Sequence, residues 1–219
     1  MKPTKERLLN AAGEVFAEKG FHAASVRKIC ERAGANLASV NYYFRSKEKL
    51  YEAVVLHTFH YAMEKYPVGG NQDGLRSPEE RLFAFVHRFL LRLLDRDRPA
   101  WHIRVLRREH AEPGAALRAV VKKIIRRNRE ELLSILGEVL GPEADREWLQ
   151  LCASSIAGQC LFYHRARPVV SQLHGHVDYS SSGIQKLARH ITDFSLAAIR
   201  NTAKTNNARE PKSHIRAKK

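Results

Sequence analysis

The sequence predicts an all-α protein. Apolar residues recur at every third or fourth position through most of the 219 residues, which places them along one face of a helix. Serine or asparagine precedes several of these segments, and glycine or proline follows them, as is typical of helix starts and ends. No stretch alternates apolar and polar residues in the way that predicts a strand. We therefore expect a chain built from helices and short turns.

The first 66 residues predict four helices separated by tight turns. Ser25, Asn36 and Ser46 belong to the residue types that cap helix N-termini, and Gly20 and Gly34 belong to the type that ends helices. Each segment between these positions carries apolar residues at helical spacing. The expected ranges are about 4–19, 26–33, 37–43 and 47–66.

A linker follows, because residues 67–77, PVGGNQDGLRS, hold three glycines and a proline. Ser77 and Glu80 then form a capping box, which starts a new helix. Further helices are expected at about 78–93, 100–111, 115–140, 143–165 and 184–200. The last segment, 201–219, is polar and holds six Lys and Arg against one Glu, so we expect disorder there. The predicted domains are therefore 1–66 and 67–200, followed by a basic tail at 201–219.

Charge and composition narrow the class of protein. The formal net charge of +15 favours a polyanionic partner, which could be DNA, RNA or an acidic membrane surface. No apolar run approaches the ~18 residues that cross a bilayer, and the N-terminus lacks the apolar core of a secretory signal. We therefore expect a cytoplasmic protein without membrane partners. Cys30, Cys152 and Cys160 suit buried, reduced thiols.

Residues 34–51, GANLASVNYYFRSKEKLY, carry an unusual set of polar groups on a short predicted helix. Only Val40 and Phe44, with some help from Leu37, are suited to face inward. Two short helices joined at Gly34 have the geometry of a helix-turn-helix, in which the second helix enters the major groove of DNA. Asparagine and serine can hydrogen-bond to base edges, and tyrosine hydroxyls can reach phosphates. An ordinary helical bundle with exposed tyrosines is the alternative.

Residues 4–51 resemble the DNA-binding domain of the tetracycline-repressor (TetR) family of transcriptional regulators. The matching motifs are SVRKI at 25–29, AG at 33–34, NYYF at 41–44 and RSKEKL at 45–50. The sequence departs from the family pattern at two positions. Asn41 stands where the family usually has an aromatic residue, and Tyr43 stands where it commonly has a histidine.

The resemblance implies which side chains meet DNA. Arg27 should reach a base or a phosphate, and Tyr42, Tyr43 and Lys47 should hold phosphates. The amide of Asn41 can pair with both polar groups on the major-groove edge of an adenine. The full expected set of DNA-binding residues is Arg27, Asn36, Leu37, Ala38, Ser39, Asn41, Tyr42, Tyr43 and Lys47.

Two later stretches, RREHAEPGAAL at 107–117 and SIAGQCLFYHRARPVV at 155–170, resemble the C-terminal domain of a TetR subgroup typified by the CecR (YbiH) regulator. The resemblance implies a domain that dimerises and encloses a small-molecule pocket. Small residues on the 143–165 helix allow close approach of another helix, and intramolecular packing of the same residues is the alternative. The expected dimer-interface residues are Ser154, Ala157, Gly158, Leu187, Ile191 and Phe194.

For the effector, we expect a mostly apolar small molecule with a few polar anchors, because aromatic and isolated polar residues share otherwise apolar helix faces. Ordinary core packing is the alternative for each of these residues. The candidate pocket residues are Phe85, Phe89, Trp101, His102 and Phe162.

The expected fold is thus an N-terminal three-helix helix-turn-helix domain plus a C-terminal helical bundle for ligand binding and dimerisation. The expected function is that of a transcriptional regulator, a repressor that binds a palindromic operator in double-stranded DNA as a homodimer and is released by its effector. Two alternatives stay open, which are a helical enzyme with an accessory DNA-binding module and a nonspecific nucleic-acid-coating protein.

Catalytic and cofactor signals are absent from the sequence. It contains no nucleophile elbow and no phosphate-binding glycine loop, so we expect neither an enzyme nor a bound cofactor. His174-Gly175-His176 is a weak metal signal, because no cysteine or carboxylate stands beside it at ligand spacing.

Overall fold

The computed structural model describes residues 3–67, 77–175 and 177–209. Every regular element in these ranges is helical, which confirms the all-α prediction. The helices are α1 (Thr4–Ala23), α2 (Val26–Ala33), α3 (Leu37–Phe44), α4 (Lys47–Lys65), α5 (Pro78–Leu94), α6 (Ala100–Ala111), α7 (Ala115–Val120), α8 (Arg126–Leu140), α9 (Arg146–Arg165), α10 (Arg167–His174) and α11 (Ser181–Arg209), and a π-helical segment, Val121–Ile125, joins α7 to α8.

Several helices differ from the sequence prediction, and α9 and α11 begin at Arg146 and Ser181 rather than at 143 and 184. Helix α1 passes through Gly20, whose φ of 76° kinks it, and ends at Ala23. The single helix expected over 115–140 is divided by the π-helical segment. Helix α10 was not expected, and α11 reaches Arg209, so the disorder expected from 201 does not hold for 201–209. Most of the predicted linker, the end of the basic tail and His176 lie outside the described residues.

The chain packs as two compact units that are each discontinuous in sequence. Unit 1 combines Met1–Val68 with Asp95–Asn128, and unit 2 combines Gly69–Leu94 with Arg129–Lys219. Helices α6 and α7 therefore pack with the N-terminal helices rather than with α5 and α9. The division into functional domains at 66 and 67 stays a prediction about function, since packing units follow contacts and not sequence order.

Unit 1 is built around an aromatic core. Phe16 is fully buried and meets the ring of Tyr51 edge-on, with centroids 5.0 Å apart. Trp101, from α6, packs directly on Gly13 of α1, where the Cβ of any larger residue would lie 2.3 Å from its ring. Leu50 and Val54 bring α4 into the same core. Helices α1, α4, α6 and α7 share this core. Helix α2 packs against α1, and α3 packs against α1 and α4.

Unit 2 packs α5, α8, α9 and α11 around aliphatic residues such as Leu82, Leu136 and Ile156. Arg88 of α5 donates from Nη2 to Glu131 Oε1 of α8 at 2.8 Å, which ties the two helices together. Cys152 and Cys160 are buried free thiols in this core, as Cys30 is in unit 1, so the expectation of reduced cysteines is confirmed. Among the described helices, none has the length and apolar character that spanning a bilayer requires.

Candidate nucleic-acid interface

Helices α2 and α3 form the helix-turn-helix that the sequence predicts. Ser25 caps α2 by accepting from the backbone N–H of Lys28, and Gly34 ends it in the left-handed conformation at φ 59°. Asn36 then caps α3, where its Oδ1 accepts from the backbone N–H of Ser39 at 2.8 Å. Because each cap satisfies backbone N–H groups locally, both short helices have defined starts.

The orientation of α3 is set by two buried side chains. Val40 is 1% exposed and Phe44 is 5% exposed, and both belong to the core of unit 1. The opposite face is therefore outward, with Leu37, Ala38 and Asn41 exposed. Tyr42 is 76% exposed and Tyr43 is 40% exposed, with their rings edge-on at 4.9 Å. This face offers amide, hydroxyl and apolar groups to a partner, as DNA readout requires.

Asn36 and Ser39 are engaged with each other rather than displayed freely. Besides the cap, the hydroxyl of Ser39 donates to Asn36 Oδ1 at 2.8 Å, and Ser39 is only half-exposed. The structure therefore gives Asn36 a structural task at the start of α3, in addition to the DNA contact that the resemblance implies for both residues. Their DNA contacts stay predictions.

Lys47, in the first turn of α4, is held in place by the end of α1. Its Nζ donates to the carbonyl oxygen of His22 at 3.1 Å and lies 4.9 Å from the centroid of the Phe21 ring. An ammonium group has three N–H donors, so this bond leaves capacity for a phosphate oxygen. Sequence reasoning missed His22 and Phe21, because Gly20 predicts a helix end and the residues after it a turn.

Two arginines complete the surroundings of the turn. Arg7, from α1, donates from Nε to the carbonyl oxygen of Ala33 at 3.0 Å and from Nη2 to that of Gly34 at 3.2 Å, which fixes the turn to α1. Arg27 has a side chain that is 90% exposed, with its Nε 3.5 Å from Glu31 Oε1. An exposed pair of this kind contributes little and can rearrange when a phosphate arrives.

Unit 2 has an exposed apolar face along α9 and α11. Leu151 is 53% exposed, Phe162 52% and Phe194 62%. Leu151 and Phe194 line a groove together with Trp148, and Gln159 Nε2 donates to Ser195 Oγ there at 3.1 Å.

The predicted interface residues are placed unevenly on this face. Ser154, Gly158 and Phe194 are exposed, and Ala157 and Leu187 are half-buried. Ile191 is 1% exposed and lies in the core of unit 2, so its side chain does not belong to the surface. Ile191 and Phe194 are three residues apart, so the helical repeat predicts that they lie on the same face of α11. The edge of the core falls between them, so that Ile191 is buried and Phe194 is exposed.

The five effector-pocket candidates fall into both units. Phe85 is buried and Phe89 is half-buried on α5, whereas Phe162 is exposed on α9. Trp101 and His102 belong to unit 1 and are 7% and 1% exposed. Trp101 has a packing role, since it covers Gly13 and stacks on His57 at 6.2 Å.

His102 is held neutral inside unit 1. Burial, together with the nearby charges of Arg98 and His57, lowers the pKa of His102 to about 3. Its ring meets Tyr61 edge-on at 5.1 Å, and its Nδ1 has no hydrogen-bond partner among the described residues.

Buried cations on α5 were missed by sequence reasoning. Arg88 and Arg92 lie four residues apart on the face that also carries Phe85, and Arg92 is 7% exposed. Burial, with the charge of Arg88, lowers the pKa of Arg92 to about 10. The available signal was the spacing. Two arginines that are four residues apart on an apolar helix face must lie inward or at the edge of that face.

The histidine pair considered as a metal site receives no support in the part of the chain that the structure describes. No group of three His, Cys, Asp or Glu side chains there could hold a metal ion. His176 lies outside the described residues, so the pair itself is not defined.

Comparison with protein families gives two matches that together cover most of the chain. Residues 8–54 match bacterial regulatory proteins of the tetR family. Residues 78–199 match the C-terminal domain of the HTH-type transcriptional dual regulator CecR. The boundary between the two matches falls close to the predicted linker.

Individual relatives agree with these matches. The HTH-type transcriptional dual regulator CecR of Shigella flexneri is 24% identical over 196 residues, covering 86% of this chain and 87% of CecR. The HTH-type transcriptional regulator UidR of Escherichia coli K12 is 38% identical over 71 residues, which are 32% of this chain and 36% of UidR, so that match spans only about a third of UidR.

A solved structure, the transcriptional regulator FadR of Bacillus subtilis in complex with stearoyl-CoA, superposes with a TM-score of 0.61 at 18% identity. It covers 88% of this chain and 97% of FadR. At this level of identity the likeness shows a shared fold.

Proposed function

Because this chain belongs to the TetR family of transcriptional regulators and carries a CecR-type C-terminal domain, we propose that it is a homodimeric repressor released from its operator by a small molecule. The family consists of DNA-binding regulators and not of enzymes. The observation that carries the proposal is the outward face of α3, which displays Asn41 and Tyr42 while Val40 and Phe44 anchor the opposite face in the core.

In this proposal α3 lies in the major groove. Asn41 reads an adenine, because an amide can donate and accept on that base's edge at once. Tyr42 and Tyr43 hydrogen-bond to phosphates through their hydroxyls, and Lys47 binds a phosphate with the N–H groups that His22 leaves available. The start of α4 adds its backbone dipole, which favours an anion at the same place.

The dimer forms through α9 and α11. Leu151, Phe162 and Phe194 expose hydrocarbon that gains free energy only by leaving water, at about 25 cal/mol per Å². A second copy covers this face by symmetry, since a two-fold interface brings the same patch from both subunits. The operator is then a pseudo-palindrome whose half-sites are about one helical turn apart or somewhat more. The protein acts in the cytoplasm.

The effector is mostly apolar, in keeping with Phe85 and Phe89 on α5. Arg88 and Arg92 place positive charge on the same face, and because Arg88 already pairs with Glu131 at 2.8 Å, an anionic end group would compete with that carboxylate for the guanidinium. FadR, a structural neighbour, was solved with stearoyl-CoA, a ligand that combines a long apolar chain with phosphates.

Release requires only a difference in affinity. The effector must bind the DNA-incompetent form better, and a tenfold preference corresponds to a coupling free energy of about 1.4 kcal/mol. Bound DNA must then weaken effector binding by the same factor. Helix α4 carries the change within unit 1, because it begins at Lys47 beside α3 and ends at Lys65, which pairs with Asp95 at 2.7 Å.

Selection of bound sequences from a random duplex library tests the proposal. We expect an enriched site with two-fold symmetry, bound at least about 10³-fold more tightly than random duplex. Recovery of an asymmetric site would reject the dimer. Equal binding to all duplexes would reject the regulator and leave a nonspecific nucleic-acid-coating protein.

A further inference from the structure

A row of cations on unit 1 has no role in the function just proposed. Residues 115–128 contain five basic residues and no Asp or Glu. All five side chains are exposed. We call them the basic stripe, which consists of Arg118, Lys122, Lys123, Arg126 and Arg127.

The π-helical segment aligns this stripe. A helix with i→i+5 hydrogen bonds has more residues per turn than an α-helix, so residues four apart stay nearly in line. Ala116, Val120 and Ile124 accordingly share the buried side. Lys122 and Arg126 share the opposite side and line one groove with Arg118. Arg118, Lys122 and Arg126 therefore form one row of cations, with Lys123 and Arg127 each next to a member of the row in sequence. Val121 and Ile125 in the same segment are also exposed, at 37% and 40%.

The stripe is fixed firmly to unit 1. Glu109 accepts from the backbone N–H groups of Gly114 at 3.0 Å and Leu117 at 2.8 Å, which holds the start of α7 against α6. Val120 and Ile124 lie in the same core as Val40, the residue that orients α3.

The stripe also contacts the first turns of α4 through a carboxylate that pairs with a lysine from each side. Glu52 accepts from Lys49 Nζ at 2.8 Å through Oε2, and its Oε1 lies 3.9 Å from Lys123 Nζ. Lys49 is in the first turn of α4, close to Lys47, and Glu52 follows Lys47 by about 7.5 Å along the helix axis. Lys123 therefore reaches the second turn of α4, the helix whose first turn meets DNA in the proposed complex.

We propose that the basic stripe is a second DNA contact, which binds backbone phosphates flanking the operator. The inference rests on the proposed function, because it needs α3 to be seated in the groove. Duplex DNA carries one charge per about 1.7 Å, so the flanks offer phosphates beyond those that α3 reaches. Contacts of this kind add affinity without sequence preference.

An acidic membrane surface is the other polyanion to consider. Interfacial helices bind membranes by inserting an apolar face opposite their cations. Here Ala116, Val120 and Ile124 are already buried in the core of unit 1, and only Val121 and Ile125 of the large apolar residues at 115–128 are exposed, at 37% and 40%. DNA, which needs only the charges, is therefore the better partner.

The test compares two operator duplexes, one ending at the selected site and one extended by about 10 base pairs on each side. The stripe variant is Lys122→Gln/Lys123→Gln/Arg126→Gln. Glutamine keeps helix propensity, and Glu52 retains its shorter pair with Lys49, at 2.8 Å, when the 3.9 Å pair with Lys123 is removed. The matched control, Arg146→Gln/Arg165→Gln/Lys186→Gln, removes the same charge from exposed positions of unit 2.

We expect the wild type and the control to bind the extended duplex about tenfold more tightly than the short one, and the stripe variant to lose this gain. The slope of log affinity against log salt should become shallower by about 0.9 for each lost phosphate contact. Equal gain and equal slope in the stripe variant and the control would overturn the inference.

Loss of binding to phosphatidylserine-containing vesicles, with duplex binding intact, would assign the stripe to membranes and also overturn it. If the wild type preferred no operator, the proposed function would fail. The salt slopes on long and short random duplexes would still decide whether the stripe binds DNA.

Discussion

Units 1 and 2 both expose aromatic side chains, but of different chemistry. Unit 1 displays Tyr42 and Tyr43 beside Asn41, so that its exposed face ends in hydroxyl and amide groups. Unit 2 displays Leu151 and Phe194, which offer hydrocarbon alone. The first face can exchange hydrogen bonds with water for hydrogen bonds with a polar partner, whereas the second gains only by being covered.

The interiors differ in the same direction. In unit 1, Trp101 fills the space over Gly13 and brings α6 into the core, and the groove on its surface is lined by Arg118, Lys122 and Arg126. The groove of unit 2, between α9 and α11, is lined mostly by apolar side chains such as Trp148, Leu151 and Phe194. The difference fits the proposed function, in which unit 1 meets DNA and the apolar face of unit 2 meets a second copy.

The largest expected effect on the dimer and on operator affinity comes from placing carboxylates on the exposed apolar face of unit 2. In Leu151→Glu/Phe194→Glu, two carboxylates per chain should repel the second copy, so sedimentation should show monomers. Operator affinity should fall by about 10²–10⁴-fold, because the second half-site no longer binds as part of the same molecule. Leu173→Glu is the control, since Leu173 is 71% exposed on α10. A dimer in the double variant would reject the interface.

The packing of Trp101 on Gly13 predicts that even one added methyl group at Gly13 would clash with the Trp101 ring. Gly13→Ala should lower the free energy of unfolding by about 1–3 kcal/mol in chemical denaturation, because its Cβ would lie 2.3 Å from Trp101. Gly137→Ala in unit 2 is the control, as nothing lies within 4 Å of that Cβ, and it should be neutral or stabilising. Adding Trp101→Phe should recover part of the loss at Gly13. Equal effects at the two glycines would contradict the packing.

The polar face of unit 1 predicts a base-specific loss. Asn41→Ala should cost about 1–3 kcal/mol at one base pair of each half-site and relax the preference there, as measured by binding to single-substitution operators. Asn36→Ala should instead reduce the stability of the protein by about 1 kcal/mol, because it removes the cap of α3. A uniform loss over all operators in Asn41→Ala would make Asn41 a backbone contact.

Lys47, in the first turn of α4, tests whether the DNA-facing side of unit 1 also contacts phosphates. Lys47→Ala should weaken binding to every duplex, and the slope of log affinity against log salt should become shallower by about 1 per site. Lys28→Ala, which removes an exposed cation paired with Glu31, serves as the control. Normal affinity and an unchanged slope would remove Lys47 from the phosphate contacts.

The smallest effect at neutral pH concerns His102 in the closed core of unit 1. Its pKa is about 3 in the folded protein against about 6.5 when unfolded, so the unfolded chain binds the proton first. Stability should therefore fall as the pH drops from about 6.5 towards 3, by up to about 1.4 kcal/mol per pH unit from this group. His102→Leu should flatten this dependence, and His60→Gln, at an exposed site, should not. An unchanged pH profile in His102→Leu would mean that His102 is not the group responsible.

Local signals explain which parts of the fold were predictable. Ser25, Asn36 and Ser46 set the starts of α2, α3 and α4 through hydrogen bonds to the third following residue, so sequence neighbours decide those bounds. Helix α10 was missed because a proline, here Pro168, ordinarily predicts a break. Proline is tolerated in a first helical turn, where its missing N–H has no intrahelical partner in any case.

Distant contacts explain what could not be predicted. Trp101 and Gly13 lie far apart in sequence, so the packing role of Trp101 has no local signature. The bonds from Arg7 to the turn at Ala33 and Gly34 are equally non-local. Ile191 and Phe194 show the same limit in unit 2, since helical spacing places them near one face but cannot say where the core stops.

The kink at Gly20 has a consequence for the timing of binding. It turns the last residues of α1 so that the carbonyl of His22 and the ring of Phe21 hold the ammonium of Lys47 before any partner is present. A lysine side chain that is free loses up to about 2 kcal/mol of rotamer entropy when it is ordered. Here folding has already absorbed part of that loss, so in the proposed complex Lys47 meets a phosphate with part of its ordering complete, and the encounter complex needs less rearrangement to become the bound one.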